Sequence, residues 1–213
     1  MKLYTYFRSS ASFRVRIALN CKGIPYDSVP VNLPKNEQAQ AGFRAVNPAG
    51  LVPALDIDGS GILAQSLAII EYVDETMSGP KLVPADPLER HYVRAFSQIV
   101  ACEIHPLNNL RVLRYVKRSY GLDEEGVNRW YRDWIKEGFP MLESFLETHR
   151  RSGRFVLGDS VTMADCCLVP QVFNAQRYQC DLSPYPKAMA IYERCMALEP
   201  FIQAQPSQQP DAQ

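Results

Sequence analysis

The feature that most constrains the fold is the uneven distribution of strand-like segments along the chain. Short apolar segments bounded by polar or turn residues lie within the first 64 residues, at 2–6, 26–31, 52–57 and 61–64. Periodic segments between and after them predict helices at 12–22, 38–46 and 65–76. Beyond Leu88 no segment is typical of a strand, and helices are predicted at about 88–118, 124–149, 162–178 and 186–197. The pattern predicts a small β-α-β-α-β-β-α domain followed by an all-helical one.

Glycine and proline residues between positions 78 and 87 interrupt the periodic pattern and predict a linker. A chain of 213 residues is long enough for two small domains. We expect an α/β domain at 1–78, a linker at 79–87, a helical domain at 88–202 and a loose tail at 203–213.

The charge balance excludes recruitment by a general electrostatic field. Lys and Arg together number 23, as do Asp and Glu, so we expect neither nucleic acid nor a membrane surface as a partner. Any anionic ligand must be held by a few placed arginines. The N-terminal apolar run ends at Arg8, too early for a signal peptide, so a cytoplasmic location is expected. The six cysteines lack metal-ligand spacing, so no metal site is expected.

Three local motifs resemble those of the cytosolic glutathione transferases, which join a thioredoxin-like α/β domain to an all-helical domain. NPAGLVP at 47–53 resembles their segment leading to a cis-proline, and QSLAIIEY at 65–72 resembles the start of their glutathione-holding helix. GDSVTMAD at 158–165 resembles a capping box of their helical domain. The motifs cover both halves of the chain, so the resemblance implies this two-domain fold and homodimerisation.

A fourth segment, YFRSSASFRVR at 6–16, resembles the zeta class of that family. This class implies isomerisation of maleylacetoacetate or maleylpyruvate in aromatic amino acid catabolism, with reduced glutathione as cofactor. The usual Ser-Ser-Cys is Ser-Ser-Ala here, with Ala11 in the third position. The replacement argues against a mechanism that needs a protein thiol at position 11 and leaves one that uses the thiol of glutathione untouched.

The resemblance implies that Ser9, Ser10 and Arg8 are catalytic. A hydroxyl donor and a helix N-terminus both favour a thiolate over a thiol, so Ser9 is expected to hold the glutathione sulfur as S⁻. Serines at a helix start also serve as caps, and that purely structural role remains open.

The resemblance also implies a set of glutathione contacts. The Val52 main chain is expected to pair with the cysteinyl unit as an added strand, because Pro53 is cis in the family. Gln65 and Ser66 lie at a helix start, where free N–H groups suit a carboxylate. The full set is Ser9, Ser10, Ala11, Gln38, Val52, Pro53, Gln65, Ser66, His105, Asn109 and Arg111. Plain helix capping, or a proline that only ends a loop, is the structural alternative.

Arginines indicate the substrate class, because guanidinium groups bind carboxylates through paired hydrogen bonds. Arg8, Arg111 and Arg177 match family positions that would hold a small dicarboxylic acid, although an exposed arginine is usually only a solvated charge. Arg14 and Arg16 are expected to have structural roles in the first helix.

The implied chemistry is addition of the glutathione thiolate to a cis double bond, rotation, and departure of the thiolate, with no metal required. Maleylacetoacetate and maleylpyruvate both remain open as substrates. A general or dehalogenating glutathione transferase is a further alternative, and so is a glutathione-binding scaffold without turnover. A glutaredoxin-like reductase would need a cysteine at positions 9–11, which hold Ser, Ser and Ala.

Overall fold

The computed structural model describes residues 1–149 and 151–212, and the chain divides into two compact units. One unit comprises Met1–Val83 and the chain from Met196 onward, and the other comprises Pro84–Cys195. The helical unit therefore ends before residue 202, because the last part of the chain packs with the first unit.

The first unit has a four-stranded mixed sheet with helices and confirms the predicted order of elements. Its elements are β1 (Lys2–Thr5), α1 (Ser10–Cys21), β2 (Asp27–Pro30), α2 (Ala41–Val46), β3 (Ala54–Asp56), β4 (Ile62–Ala64) and α3 (Ser66–Thr76). The strand order is β2-β1-β3-β4, with β1 and β2 parallel and the other neighbours antiparallel. The helix predicted from Gln38 begins later, since Glu37–Ala39 form a 3₁₀ turn before α2.

Apolar side chains of α1 and α3 form the core of this unit. Ile17 and Leu19 of α1 and Ile69 and Ile70 of α3 are completely buried, each stabilising the fold by roughly 1.5–3 kcal/mol. Arg16 of α1 is also completely buried. The predicted helices are therefore confirmed, and a guanidinium group lies inside the packed region.

The C-terminal residues do not form the loose tail predicted for 203–213. Helix α9 (Glu199–Ala204) packs on α1, with Phe201 and Ala204 fully buried. The Gln209 side chain then donates hydrogen bonds to the carbonyls of Gln203 and Gln205, both at 2.9 Å. The prediction was wrong because a Gln- and Pro-rich composition describes local preference, whereas these residues are held by tertiary contacts.

The second unit contains five α-helices in the part that the structure describes. They are α4 (Pro87–Gln98), α5 (Leu110–Tyr120), α6 (Glu124–Thr148), α7 (Met163–Arg177) and α8 (Pro186–Met196). The long helix predicted at 88–118 is divided by a π-helical segment, Ile99–Ile104, and a 3₁₀ turn, His105–Asn108. Pro106 lies in that turn. Proline has no N–H to donate to an α-helical hydrogen bond, which favours an interruption of the helix here.

The predicted capping box begins α7. The Asp165 carboxylate accepts hydrogen bonds from the Thr162 N–H at 2.8 Å, the Thr162 hydroxyl at 3.0 Å and the Val156 N–H at 2.9 Å. Asp165 thus fixes both the helix start and the preceding loop. No helix among the described residues is both long and apolar enough to cross a membrane.

Candidate active site

The register of the strands brings the predicted glutathione ligands of the first unit to one end of the sheet. Tyr4 of β1 pairs with Ala54 of β3, which pairs with Ala64 of β4. Immediately beyond this row, β1 continues to Ser9, β3 is preceded by Val52, and β4 continues into α3. Three chain segments that lie far apart in the sequence therefore meet at the same end of the sheet.

Ser9 is the N-cap of α1, and its Oγ accepts a hydrogen bond from the Ser12 N–H at 3.2 Å. The structural role that the sequence left open is therefore present. It is compatible with ligand binding, because a hydroxyl can accept through a lone pair and donate its proton elsewhere. The described first turn of α1, which begins with Ser10 and Ala11, contains no acidic side chain, so the positive end of the helix keeps its potential for an anion.

Val52 and Pro53 are joined by a cis peptide bond directly before β3, as the resemblance implied. The half-buried Val52 has no main-chain hydrogen-bond partner anywhere in the described residues. Since its N–H and C=O are both unpaired just before β3 begins, an extended peptide could pair with them.

Gln38 lies against the turn that precedes Val52. A Cβ at Gly50 would be only 2.9 Å from the Gln38 carbonyl oxygen, and Gly50 has a φ of +63°. The Gln38 Oε1 is buried and makes no hydrogen bond within the described chain. The amide nitrogen donates to the Asn36 side chain at 3.5 Å, so the oxygen is the atom left for a polar ligand at this position.

Gln65 and Ser66 form the start of α3. Gln65 is the N-cap residue and has a φ of +69°, which is unusual for a residue other than glycine. The buried Ser66 Oγ accepts a hydrogen bond from Nη1 of Arg14, itself a buried residue of α1, at 3.2 Å. The start of α3 thus combines main-chain N–H groups with a nearby guanidinium, a donor set that suits a carboxylate.

The second unit carries the remaining predicted ligands of glutathione. His105 is half-buried at the start of the 3₁₀ turn, and Arg111 is exposed on α5. Asn109 caps α5 by accepting the Val112 N–H at 3.0 Å. The buried Asn108 was not predicted, yet it donates to the Tyr131 carbonyl at 3.2 Å and its Oδ1 has no partner among the described residues. The sequence signal that could have identified Asn108 is its position next to Asn109, at a break between two helices.

Arg177 is exposed in the last turn of α7, with its guanidinium carbon 4.9 Å from the ring centroid of Tyr178. The Tyr178 ring stacks on that of Tyr131, with the two centroids 3.7 Å apart. Burial raises the pKa of Tyr131, and the charge of Arg177 opposes that rise. The Arg177 guanidinium therefore lies against an aromatic stack and remains exposed to solvent.

Arg8 has a similar arrangement in the first unit. It is exposed, and its guanidinium carbon lies 4.8 Å from the Phe7 ring centroid.

Eight of the predicted site residues lie at or beside the same end of the sheet: Ser9, Ser10, Ala11, Gln38, Val52, Pro53, Gln65 and Ser66. Among the described residues, no group of three or more His, Cys, Asp or Glu residues is placed to hold a metal ion.

Comparison with known families matches both units. The family model "Glutathione S-transferase, N-terminal domain" matches residues 8–76, and "Glutathione S-transferase, C-terminal domain" matches residues 126–194. Among full-length relatives, the maleylpyruvate isomerase of a Ralstonia species is 48% identical over 212 residues, covering 100% of both chains. The maleylacetoacetate isomerase of Mus musculus is 48% identical over 211 residues, covering 98% of this chain and 94% of the relative.

Solved structures agree with these matches. A holo maleylpyruvate isomerase, described as a bacterial glutathione S-transferase in zeta class, has a TM-score of 0.97 and 47% identity, with both chains fully covered. A maleylacetoacetate isomerase from Methylobacterium extorquens AM1, with bound malonate and glutathione, has a TM-score of 0.97 and 39% identity with the same coverage. The isomerase from Anaeromyxobacter dehalogenans 2CP-1, with bound dicarboxyethyl glutathione and citrate, has a TM-score of 0.87 and 39% identity over 100% of this chain and 93% of its own.

The chain belongs to the glutathione S-transferase family. The thioredoxin-like domain followed by an all-helical domain is thereby confirmed as its fold class. Within the family it is a member of the zeta class, the group of the maleylacetoacetate and maleylpyruvate isomerases.

Proposed function

We propose that this chain is a glutathione-dependent cis–trans isomerase that converts maleylacetoacetate to fumarylacetoacetate in the breakdown of aromatic compounds. The observation that carries the proposal is that Ser9, the N-cap of α1, lies at the same end of the sheet as the unpaired main chain of Val52. The relatives named as isomerases of maleylacetoacetate or maleylpyruvate over almost their full length support the same reaction.

The residues at the sheet edge suit reduced glutathione. Val52 offers a free N–H and C=O to the peptide part of the tripeptide, and the start of α3 at Gln65 and Ser66 offers donors to a carboxylate. Gln38 supplies a further polar contact through its unpartnered amide oxygen. Binding of glutathione to related structures agrees with this assignment.

When bound, glutathione supplies a thiolate that adds to the cis double bond, permits rotation about the resulting single bond, and leaves unchanged. Ser9 donates a hydrogen bond from its hydroxyl to the sulfur and keeps its proton, while its Oγ still accepts the Ser12 N–H. The N-terminus of α1 adds a positive potential at the same point. Together they lower the pKa of a thiol that is ordinarily near 8.5, and each unit corresponds to about 1.4 kcal/mol.

Arginines hold the substrate in this proposal. Arg8, Arg111 and Arg177 present exposed guanidinium groups, which bind carboxylates through two parallel hydrogen bonds. The Tyr178–Tyr131 stack limits the positions open to Arg177 and reduces the entropy lost when a carboxylate binds. A small dicarboxylic acid is therefore the preferred substrate class, in line with the malonate bound to the related isomerase.

Maleylpyruvate is the second candidate substrate. The Ralstonia maleylpyruvate isomerase is as similar to this chain as the mouse maleylacetoacetate isomerase is, at 48% identity each. A general or dehalogenating transferase would instead consume glutathione, and a scaffold would bind it without turnover. On the family resemblance, we also propose a homodimer and a cytoplasmic location; light scattering on the purified chain tests the former.

The deciding experiment follows the vinylic protons of maleylacetoacetate by NMR, with and without catalytic glutathione. Cis and trans couplings differ, and total glutathione is read in the same sample. Conversion to the trans acid with glutathione unchanged is expected, and maleylpyruvate is then compared under the same conditions. Loss of glutathione into a stable conjugate would indicate a general transferase, and binding without conversion would indicate a scaffold.

A further inference from the structure

The connection between β1 and α1 is short, and the position of Ser9 depends on it. Its residues Tyr6 and Phe7 are buried, and a turn is closed by a 2.9 Å hydrogen bond from the Ser9 N–H to the Tyr6 carbonyl. A catalytic hydroxyl must be held to within roughly 0.5 Å of its productive position. The groups that hold this connection therefore bear on the site.

Arg16 holds this connection through hydrogen bonds from its guanidinium group. Its completely buried guanidinium donates to the Thr5 hydroxyl at 3.1 Å, the Tyr6 carbonyl at 3.4 Å and the Phe7 carbonyl at 3.0 Å. Its Nε donates to the Ala204 carbonyl at 3.0 Å. One rigid side chain thus joins the active-site connection to the end of α9.

Asp211 binds the same connection from the C-terminal segment. Its Oδ2 accepts a hydrogen bond from the Phe7 N–H at 3.0 Å. Both main-chain groups of Phe7 are therefore held by charged side chains, the N–H by Asp211 and the carbonyl by Arg16. Desolvation lowers the pKa of Arg16 to about 10, and the negative charge of Asp211 opposes this effect.

The C-terminal segment is itself firmly anchored. Phe201 of α9 is fully buried, and the Asn20 side chain of α1 donates to the Pro200 carbonyl at 3.1 Å. Gln209 ties the following turn back to the end of α9. A packed segment with several hydrogen bonds to its surroundings thus holds Asp211 next to Phe7.

We infer that residues 199–211 position the catalytic connection of this enzyme, with Asp211 and Arg16 as the two positioning residues that hold Phe7 and thereby Ser9. The inference rests on the proposed function for its catalytic consequence, but the mechanical part does not. Loss of the Asp211 contact leaves the Phe7 N–H without its acceptor and frees the connection to move. Ser9 then meets the glutathione sulfur less often in the geometry that stabilises the thiolate.

The mechanical part is tested by hydrogen–deuterium exchange in protein without glutathione. In Asp211→Ala, the Phe7 amide is expected to exchange at least about tenfold faster, with amides of the α3 core unchanged. Asp211→Asn keeps an acceptor oxygen and is expected to restore most of the protection. Glu199→Gln, at an exposed position of the same segment, is the matched control. Equal exchange of Phe7 in Asp211→Ala and Glu199→Gln would overturn the inference, as would a uniform increase throughout the first unit.

The catalytic part is tested by the pKa of bound glutathione, read from the ultraviolet absorbance of the thiolate as pH is raised. Asp211→Ala is expected to raise this pKa by about one unit, which reduces the thiolate at neutral pH by up to about tenfold. An unchanged thiol pKa despite faster exchange of Phe7 would show that the segment does not act on the site. Failure of the unmodified protein to isomerise either substrate would refute the proposed function alone, because neither measurement requires turnover.

Discussion

Lys22 and Asp74 form an ion pair that is almost completely withdrawn from solvent: the Lys22 Nζ lies 3.2 Å from the Asp74 Oδ1, and the side chains are 0% and 4% exposed. The pair joins the end of α1 to the end of α3. It also holds the chain that leaves α3, since Lys22 donates to the Pro80 carbonyl and Asp74 accepts the Leu82 N–H. A buried ion pair thus holds the ends of α1 and α3 together at the point where the chain leaves the first unit.

Removal of Asp74 is expected to destabilise the first unit strongly. Asp74→Ala leaves the Lys22 ammonium buried without its carboxylate, at a cost of about 3–5 kcal/mol in the free energy of unfolding. Urea unfolding measures this change. Glu125→Gln breaks the exposed Glu125–Arg132 pair and is the control, with an expected cost of at most about 1 kcal/mol. Similar losses in the two variants would show that burial does not set the strength of the Lys22 pair.

Ser9→Ala is expected to lose most turnover while glutathione still binds. The hydroxyl donor is lost, so the pKa of the bound thiol rises, and a rise of one unit reduces the thiolate by about tenfold. Steady-state rates and calorimetric binding of glutathione measure the two effects separately.

The Ser9 variant also loses a helix cap, which costs about 1 kcal/mol of stability. Ser9→Gly separates the two roles, because glycine at this position costs only a few tenths of a kcal/mol as a cap and has no hydroxyl. Turnover is expected to fall equally in the Gly and Ala variants. Recovery in Ser9→Gly would assign the loss to capping.

Arg177→Ala is expected to raise the KM for the dicarboxylate substrate by about tenfold or more, because a carboxylate loses its charged hydrogen-bond partner. The KM for a neutral chlorinated electrophile should change little. Arg118→Ala removes another exposed cation of the helical unit and serves as the control. Parallel losses for the charged and neutral compounds would make Arg177 a structural residue.

Asp165 is expected to give the protein a pH-dependent stability of unusual sign. Burial raises the pKa of this carboxyl from 3.8 to about 6, despite three hydrogen-bond donors. Between these values the folded protein holds one more proton than the unfolded chain at this group. The contribution of Asp165 to stability is therefore present below pH 3.8 and falls as pH rises to about 6, by at most about 1.4 kcal/mol per pH unit.

Urea unfolding of the unmodified protein and of Asp165→Asn, repeated from pH 4 to pH 7, isolates this contribution. The difference in unfolding free energy between the two proteins should shrink steadily up to about pH 6 and then level off. A constant difference would mean that the folded and unfolded carboxyls ionise together.

The elements and motifs that are local in sequence were predictable. The alternation of strands and helices before residue 76 and the capping box at Thr162 and Asp165 depend on side chains a few positions apart, and the structure confirms them. The N-cap role of Ser9 was predictable from its place before the first helix, and the structure confirms it. Its role as a ligand of the glutathione sulfur stays a prediction, because pattern alone cannot choose between two roles that need the same hydroxyl.

The long-range features were not predictable from pattern. Arg16 was expected to be structural, but its carbonyl acceptors at Phe7 and Ala204 come from opposite ends of the chain. The composition of residues 203–213 indicated a loose tail, since nothing local shows that Ala204 is buried where α9 packs on α1. The break at His105–Asn108 is held by α6, because the Asn108 side chain donates to the Tyr131 carbonyl and the Trp130 indole donates to the Leu107 carbonyl.

The attachment of Asp211 to Phe7 also has a consequence for the order in which the molecule is completed. The two residues are separated by 204 positions, and Arg16 is separated from Ala204 by 188. A chain emerging from the ribosome at about 5–20 residues per second exposes its first strand long before these partners exist. The sheet can form early, but the connection that carries Ser9 acquires these supports only after residues 204 and 211 have emerged. A chain interrupted before them lacks two contacts that hold this connection.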